Sequence, residues 1–194
     1  MFHEVQDVID ERRRLFSRPA SDQVPPVLGT FTVQLDIEPV IYGTRVRSVL
    51  NAAYQIAASV DFDESPLPTQ DFPSWFAQVS QQDAVSVPSF AKSGRDLYLR
   101  EHGDFGWDLE DWLYRFEPEE SIRGWSWWDM TQTPAGDVCV WVDTWGESFI
   151  SSQDLRWLLC TAGARSVSEY TLMKSGGWLT QSTVPVEQGD TGAA

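Results

Sequence analysis

The sequence predicts a single α+β domain, in which an antiparallel or mixed β-sheet carries helices packed mainly on one face. Three observations support this fold class. Residues 31–37 alternate apolar and polar side chains, residues 124–144 contain two strand-like runs around a turn, and other segments repeat apolar residues at helical spacing. Hairpin-linked strands with interspersed helices are typical of such a sheet.

The individual elements follow from periodicity and from residues that begin or end them. Predicted helices span residues 1–16, 44–59, 72–79, 108–116 and 155–162. Predicted strands span residues 31–37, 97–99, 124–132, 138–144 and 166–173, with an edge strand containing Val85, Val87 and Phe90. The residues expected to begin or end elements are Gly29, Pro39, Thr44, Asp108, the pair Ser151 and Asp154, and Gly163.

Length and composition agree with one domain. The chain has 194 residues, of which 42% are hydrophobic, enough to bury a core. We expect residues 1–180 to form the domain, with its first helix within residues 1–20, and the polar residues 181–194 to be a flexible tail.

The apolar residues and the two cysteines predict the cellular compartment of the protein and the redox state of its thiols. No run approaches the roughly 20 apolar residues that span a bilayer, and residues 1–16 lack the apolar core of a signal peptide. A soluble, cytoplasmic protein without a membrane partner is therefore expected. Cys139 and Cys160, predicted in a strand and a helix, are expected to be reduced.

Charge is the strongest functional signal. The net charge is −15, from 29 acidic against 14 basic residues. Such a field repels nucleic acid and attracts basic surfaces. The excess is local: residues 101–120 hold eight acids opposed by Arg115 alone, and residues 61–71 hold four acids and no base. The sequence therefore predicts a basic protein partner and no direct nucleic-acid partner.

The acidic region is also rich in aromatic residues, since eight of the ten tryptophans lie between Trp107 and Trp157. Carboxylates beside aromatic faces can bind cationic groups. The alternative is that the rings form the core, as Trp112 and Trp128 suggest, and that the acids solvate a helix face. The candidate partner-binding residues are Asp104, Trp107, Asp108, Glu110, Asp111, Tyr114, Glu117, Glu119 and Glu120.

Catalytic signatures are missing from the sequence: there is no phosphate-binding glycine loop, nucleophile elbow or zinc-type cysteine spacing. We therefore expect a non-catalytic protein without cofactor or metal. Two roles of His102 remain open. His102, beside Glu101 and Asp104, would be a base with a raised pKa or, with Asp104 and Asp108, a metal ligand.

A small hydrolase is the other catalytic hypothesis, using Asp129, Asp143 and Glu147 near the 125–147 hairpin. A nucleic-acid mimic, with carboxylates spaced like phosphates, is a third possibility.

The leading hypothesis is an acidic binding protein, such as an immunity or inhibitor protein that neutralises a toxin or nuclease. It requires the acids to converge on one outward surface beside exposed indole rings.

Overall fold

A computed structural model of the chain describes residues 4–63, 66–81, 86–103, 105–118 and 123–186. It confirms a single α+β domain built on a six-stranded antiparallel sheet. The helices are Val5–Arg14 (α1), Pro39–Ala57 (α2), Ser74–Val79 (α3), Ser89–His102 (α4), Leu109–Tyr114 (α5), Gln153–Thr161 (α6) and Gly176–Leu179 (α7). The strands are Val27–Leu35 (β1), Ser126–Gln132 (β2), Val138–Asp143 (β3), Ala164–Val167 (β4), Thr171–Lys174 (β5) and Ser182–Thr183 (β6).

Strand β1 lies inside the sheet and pairs along both edges. On one side it runs antiparallel to β3, with Phe31 opposite Val140. On the other side its first half pairs with β5 and its second half with β4. The β2–β3 hairpin, with Met130 opposite Val140, extends the sheet to β6. The predicted hairpin is therefore confirmed.

The two faces of the sheet bury cores of different size. The larger core contains Phe31 and Val140 with the apolar sides of α1, α2 and α4–α6. A smaller cluster, which includes Trp128, Trp141 and Trp178 of α7, covers the other face. Cys139 and Cys160 are buried and free, one in each cluster, and burial raises the pKa of the Cys160 thiol to about 12.

Two predicted boundary residues behave as expected, whereas Gly29 lies inside β1, which begins at Val27. The side chain of Asp108 accepts a hydrogen bond from the Glu110 amide and caps α5. Gly163 follows the C-cap of α6 with a φ of +108°, a conformation that glycine adopts readily. The α1 prediction is confirmed as well.

The predicted strand at residues 97–99 is wrong, because these residues belong to α4. The buried positions of α4 include Ala91, Gly94 and Tyr98, which are spaced as on one helix face. Phe90 also lies in α4 rather than in an edge strand, whereas Val85 is outside the described residues.

Two predicted helix starts are wrong. Helix α2 begins at Pro39 instead of Thr44, because proline suits a first turn whose amide needs no partner. The Thr44 hydroxyl donates to the Val40 carbonyl within the helix. Helix α6 has Ser152 as its N-cap, and Asp154 is buried instead of capping.

The C-terminal part of the chain contains more strands than predicted. The single strand expected at 166–173 is two strands, β4 and β5, which pair with different halves of β1. Within the segment expected to be a tail, β6 pairs with β2, and Val184 is buried. The Val184 carbonyl accepts a hydrogen bond from Arg47 of α2 at 2.6 Å.

A buried ion pair joins α1 to the segment that enters β2. Glu11 is fully buried, and its Oε1 accepts a hydrogen bond from Nη2 of Arg123 at 2.5 Å. Its Oε2 accepts from the Tyr54 hydroxyl at 2.8 Å and from the Trp127 amide at 2.6 Å. The Arg123 guanidinium lies 4.7 Å from the centroid of the Phe116 ring. Several hydrogen bonds therefore compensate the desolvation of both charges.

The ionisation of this pair follows from its surroundings. Burial lowers the pKa of Arg123, but the effects of Glu11, Tyr54 and Asp154 together outweigh burial and hold the pKa above its ordinary value. Burial also raises the pKa of the Tyr54 hydroxyl well above its ordinary value. Arg123 thus stays charged and Tyr54 stays neutral, so that the hydroxyl donates to Glu11.

Replacing Glu11 with glutamine should lower the free energy of unfolding by about 3–5 kcal/mol, because Arg123 would remain buried without a counter-charge. Urea denaturation of Glu11→Gln measures this loss. The neighbouring variant Asp10→Asn removes a carboxylate that pairs with the exposed Arg13, and it should cost less than about 1 kcal/mol. Equal losses in the two variants would contradict the prediction.

Replacing Gly94 with alanine should destabilise the contact of α4 with α6. A Cβ atom at Gly94 would overlap the carbonyl oxygen of Cys160. Overpacking of this kind costs about 1–3 kcal/mol, which lowers the melting temperature by roughly 2–12 °C for a chain of this size. Gly176→Ala in α7 is the control, since its added Cβ has no neighbour within 4 Å. Calorimetry showing an unchanged melting temperature for Gly94→Ala would refute the prediction.

Candidate partner-binding surface

Helix α5 displays acidic residues outward and apolar residues inward. Leu109, Trp112 and Leu113 are buried, whereas Asp108 and Asp111 are exposed. Carboxylates in the first turn interact favourably with the positive end of the helix dipole. The sequence of this helix therefore fixes both its position in the core and its acidic outer face.

Neighbouring segments hold α5 on both sides. The indole Nε1 of Trp112 donates to the Asp154 carbonyl at 2.9 Å, and Nε of Arg115 donates to the Asp154 carboxylate at 3.3 Å. On the other side the Tyr114 hydroxyl donates to the Phe62 carbonyl at 3.2 Å. Helix α5 is thus fastened between the start of α6 and the loop that follows α2.

The two acidic segments of the sequence meet beside α5. Asp61 and Asp63 line a cleft of about 460 Å³ together with Glu117, and we call this the acidic cleft. Both aspartates are exposed, and the Asp61 carboxylate accepts a hydrogen bond from the Asp63 amide. The rings of Phe62 and Tyr114 lie 5.7 Å apart beneath them. Carboxylates about fifty residues apart in sequence therefore share one surface.

The structure brings together only part of the predicted site. Asp108 and Asp111 are exposed, whereas Glu110, Glu117, Trp107 and Tyr114 are half-buried. Asp104, Glu119 and Glu120 lie outside the described residues.

The polar atoms of the two predicted aromatic contacts are already bonded within the protein. Trp107 Nε1 donates to the Tyr98 hydroxyl at 3.1 Å, and the Tyr114 hydroxyl is bonded to Phe62. A partner would therefore meet the edges and faces of these rings instead of their polar atoms.

A second cleft borders the start of α5 and is lined by aromatic rings. Trp107, Trp157 and Phe105 line this aromatic cleft of about 400 Å³, together with Arg95 and Asp108. Phe105 is 86% exposed. The cleft combines apolar surface with one carboxylate next to the acidic residues of α5.

Most of the tryptophan cluster is core, the alternative that the sequence suggested for Trp112 and Trp128. Six tryptophan side chains are each less than 2% exposed: Trp112, Trp125, Trp127, Trp141, Trp157 and Trp178. Trp128 is 5% exposed. Large aromatic side chains dominate cores because they bury the most surface. The convergence of carboxylates is therefore the stronger part of the hypothesis.

Sequence reasoning missed an exposed aromatic loop after β3. Trp145 has a φ of +53°, rare for a bulky residue, and is 38% exposed. Phe149 is 89% exposed and lies two residues before Ser151, whose hydroxyl accepts a hydrogen bond from Arg115. The loop therefore runs close to the end of α5. The signal in the sequence was two aromatic residues among polar ones beyond the predicted strand end.

The carboxylates of the hydrolase hypothesis occupy different environments. Asp129 is buried and accepts hydrogen bonds from the Trp178 indole and the Thr183 hydroxyl, both at 2.8 Å. Burial raises the pKa of Asp129 and that of Asp143. Glu147 is exposed. None of the three lines the acidic or the aromatic cleft.

His102 lies in a different electrostatic environment from the one expected. Burial and the charge of Arg156 lower its pKa, and together they outweigh the opposing effect of Glu101. The prediction of a raised pKa is therefore wrong. Over the described ranges, no group of three or more histidine, cysteine or acidic side chains is arranged to hold a metal ion.

Two further findings concern membrane-spanning helices and similarity to known proteins. Among the described helices, none is both long and apolar enough to cross a bilayer. The chain matches no protein-family model, no curated protein and no solved structure. Its function must therefore be inferred from its own residues.

Proposed function

We propose that this is an acidic, non-catalytic protein that binds a basic protein through the surface around α5. The meeting of the two acidic segments carries the proposal, because Asp61, Asp63 and Glu117 line one cleft. Helix α5, with Asp108 and Asp111, packs against the same loop. Concentrated like charge creates a field that attracts and steers surfaces of opposite charge.

Exposed aromatic rings beside this surface also suit a cationic partner. Phe105 and Phe149 are each more than four-fifths exposed, at the aromatic cleft and near the end of α5. Arginine and lysine side chains bind carboxylates and also pack over aromatic faces. Aromatic residues are frequent among the energetically dominant residues of interfaces.

The partner class that we propose is a cationic enzyme, such as a nuclease toxin, with this protein as its stoichiometric inhibitor in the cytoplasm. A net charge of −15 complements a basic active site. The arrangement favours this class over nucleic-acid mimicry. Helix α5 has six residues and is about 9 Å long, so its acids form a compact patch instead of an extended row.

Neutralising the acidic face should weaken partner binding. We predict that Glu110→Gln with Asp111→Asn lowers the affinity for the partner by about 2- to 30-fold, the value of two surface ion pairs. The partner is captured from a native lysate at about 50 mM NaCl, and its dissociation constant is then measured by calorimetry. Raising the salt to about 500 mM should weaken binding further, because screening shortens the range of the field.

The matched control is Asp22→Asn with Glu38→Gln, which removes the same charge from two exposed residues elsewhere, of which Glu38 directly precedes α2. This control should leave the affinity within about twofold, apart from the long-range effect of net charge. Binding that ignores salt, or that falls equally in both double variants, would refute a specific acidic interface.

A further inference from the structure

A basic pocket lies at the C-terminal end of α1, on a chain that is otherwise strongly acidic. Arg13, Arg14 and Arg18 line a cavity of about 550 Å³, with Trp128 of β2 in its wall and Asp10 as the acidic residue of the described lining. We call it the arginine pocket. Its lining carries a formal charge of +2, three arginines less one aspartate, against −15 for the chain.

Two of the arginines are held in place by neutral oxygen atoms. Nε of Arg14 donates to the Trp127 carbonyl at 2.7 Å and Nη2 donates to the Ser126 hydroxyl at 3.1 Å. The Arg14 guanidinium also lies 5.2 Å from the centroid of the Trp128 ring. These bonds fix the guanidinium without neutralising it.

Arg18 is fixed in the same way. Nη1 donates to the Gln181 carbonyl at 2.7 Å and Nη2 to the Trp178 carbonyl at 3.0 Å. Its guanidinium lies 4.4 Å from the centroid of the Trp178 ring. Between described residues, neither Arg14 nor Arg18 forms a salt bridge within 4 Å. Their positions are therefore set before any ligand arrives, which lowers the entropy cost of binding.

The surrounding groups leave this positive charge available. Asp10 is paired with Arg13 at 2.9 Å, at the exposed rim of the pocket. Asp143 interacts electrostatically with Arg14, and Asp129 with Arg18, but among the described residues neither carboxylate lines the pocket or lies within 4 Å of a guanidinium nitrogen of these arginines.

Trp128 closes one wall of the pocket. Its side chain is 95% buried, and its Nε1 has no hydrogen-bond acceptor among the described residues. This nitrogen has essentially no accessible surface, so the indole contributes an apolar wall to the pocket instead of a donor.

We propose that the arginine pocket binds a small molecule that carries a phosphate monoester. A phosphate monoester has a charge of about −1.5 to −2 at neutral pH, which matches the +2 of the lining. Guanidinium groups bind phosphate oxygens through paired N–H donors, a geometry that lysine does not offer. The volume of about 550 Å³ falls within the range of small-molecule sites and exceeds what a phosphate alone fills.

Calorimetric titration of the full chain in a low-salt, phosphate-free buffer tests this proposal. The probes are phenyl phosphate, inorganic phosphate and phenol. Phenyl phosphate should bind at least about tenfold more tightly than inorganic phosphate, since its ring fills the remaining volume, and phenol should not bind detectably. No heat from either phosphate, or equal affinity for the two, would overturn the proposal.

Variants locate the binding. Arg18→Gln should weaken phenyl phosphate binding by about tenfold or more. Arg13→Gln should weaken it about threefold, because its exposed side chain is held by Asp10 at the rim. The matched control is Arg165→Gln, which removes an exposed arginine paired with Asp36, away from the pocket. Melting curves verify that each variant is folded, and equal affinity in Arg13→Gln and Arg165→Gln would overturn the assignment.

Discussion

The buried pair of Glu11 and Arg123 is the interaction on which the rest of the structure depends. It connects α1 to α2 through the Tyr54 hydroxyl and to β2 through the Trp127 amide. Two charges removed from water are tolerated only where their hydrogen bonds are made within the fold. The position of α1 is therefore specified by an ion pair and its hydrogen bonds as well as by apolar packing. Both candidate binding regions, the acidic cleft and the arginine pocket, include residues of α1.

Helix α1 links regions of opposite charge. Val5 at its start lines the acidic cleft, and Arg14 at its end lines the arginine pocket. Ten helical residues span about 15 Å, which exceeds the screening length of about 8 Å at physiological salt. Each region therefore presents its own local field, so a basic protein and a small anion would be attracted to different places on one molecule.

Local sequence signals predicted the elements that depend on local physics. Three features follow from backbone chemistry within a few residues: the Asp108 cap of α5, the end of α6 at Gly163, and the β2–β3 hairpin. Helix α4 was missed because its buried face uses Gly94, whose role is close approach to Cys160 and so depends on the partner helix. Alternation and turn signals were enough to predict β1 and the hairpin, whereas the division into β4 and β5 and the addition of β6 depend on pairing with β1 and β2.

The candidate sites were harder to predict because they are assembled from distant segments. Arg14 donates a hydrogen bond to the carbonyl of Trp127, 113 residues away, and no periodic pattern in the sequence predicts that contact. The acidic segments were recognised by composition, whereas the burial of most tryptophans beside them depends on tertiary packing.

A double-mutant cycle between Glu11 and Arg123, followed by urea denaturation, tests most directly whether this pair specifies the position of α1. Glu11→Leu and Arg123→Leu should each cost several kcal/mol because each leaves the other charge buried. The double variant should be more stable than the sum predicts, by about 2 kcal/mol or more. Additive losses would show that the two residues act independently and would contradict this account.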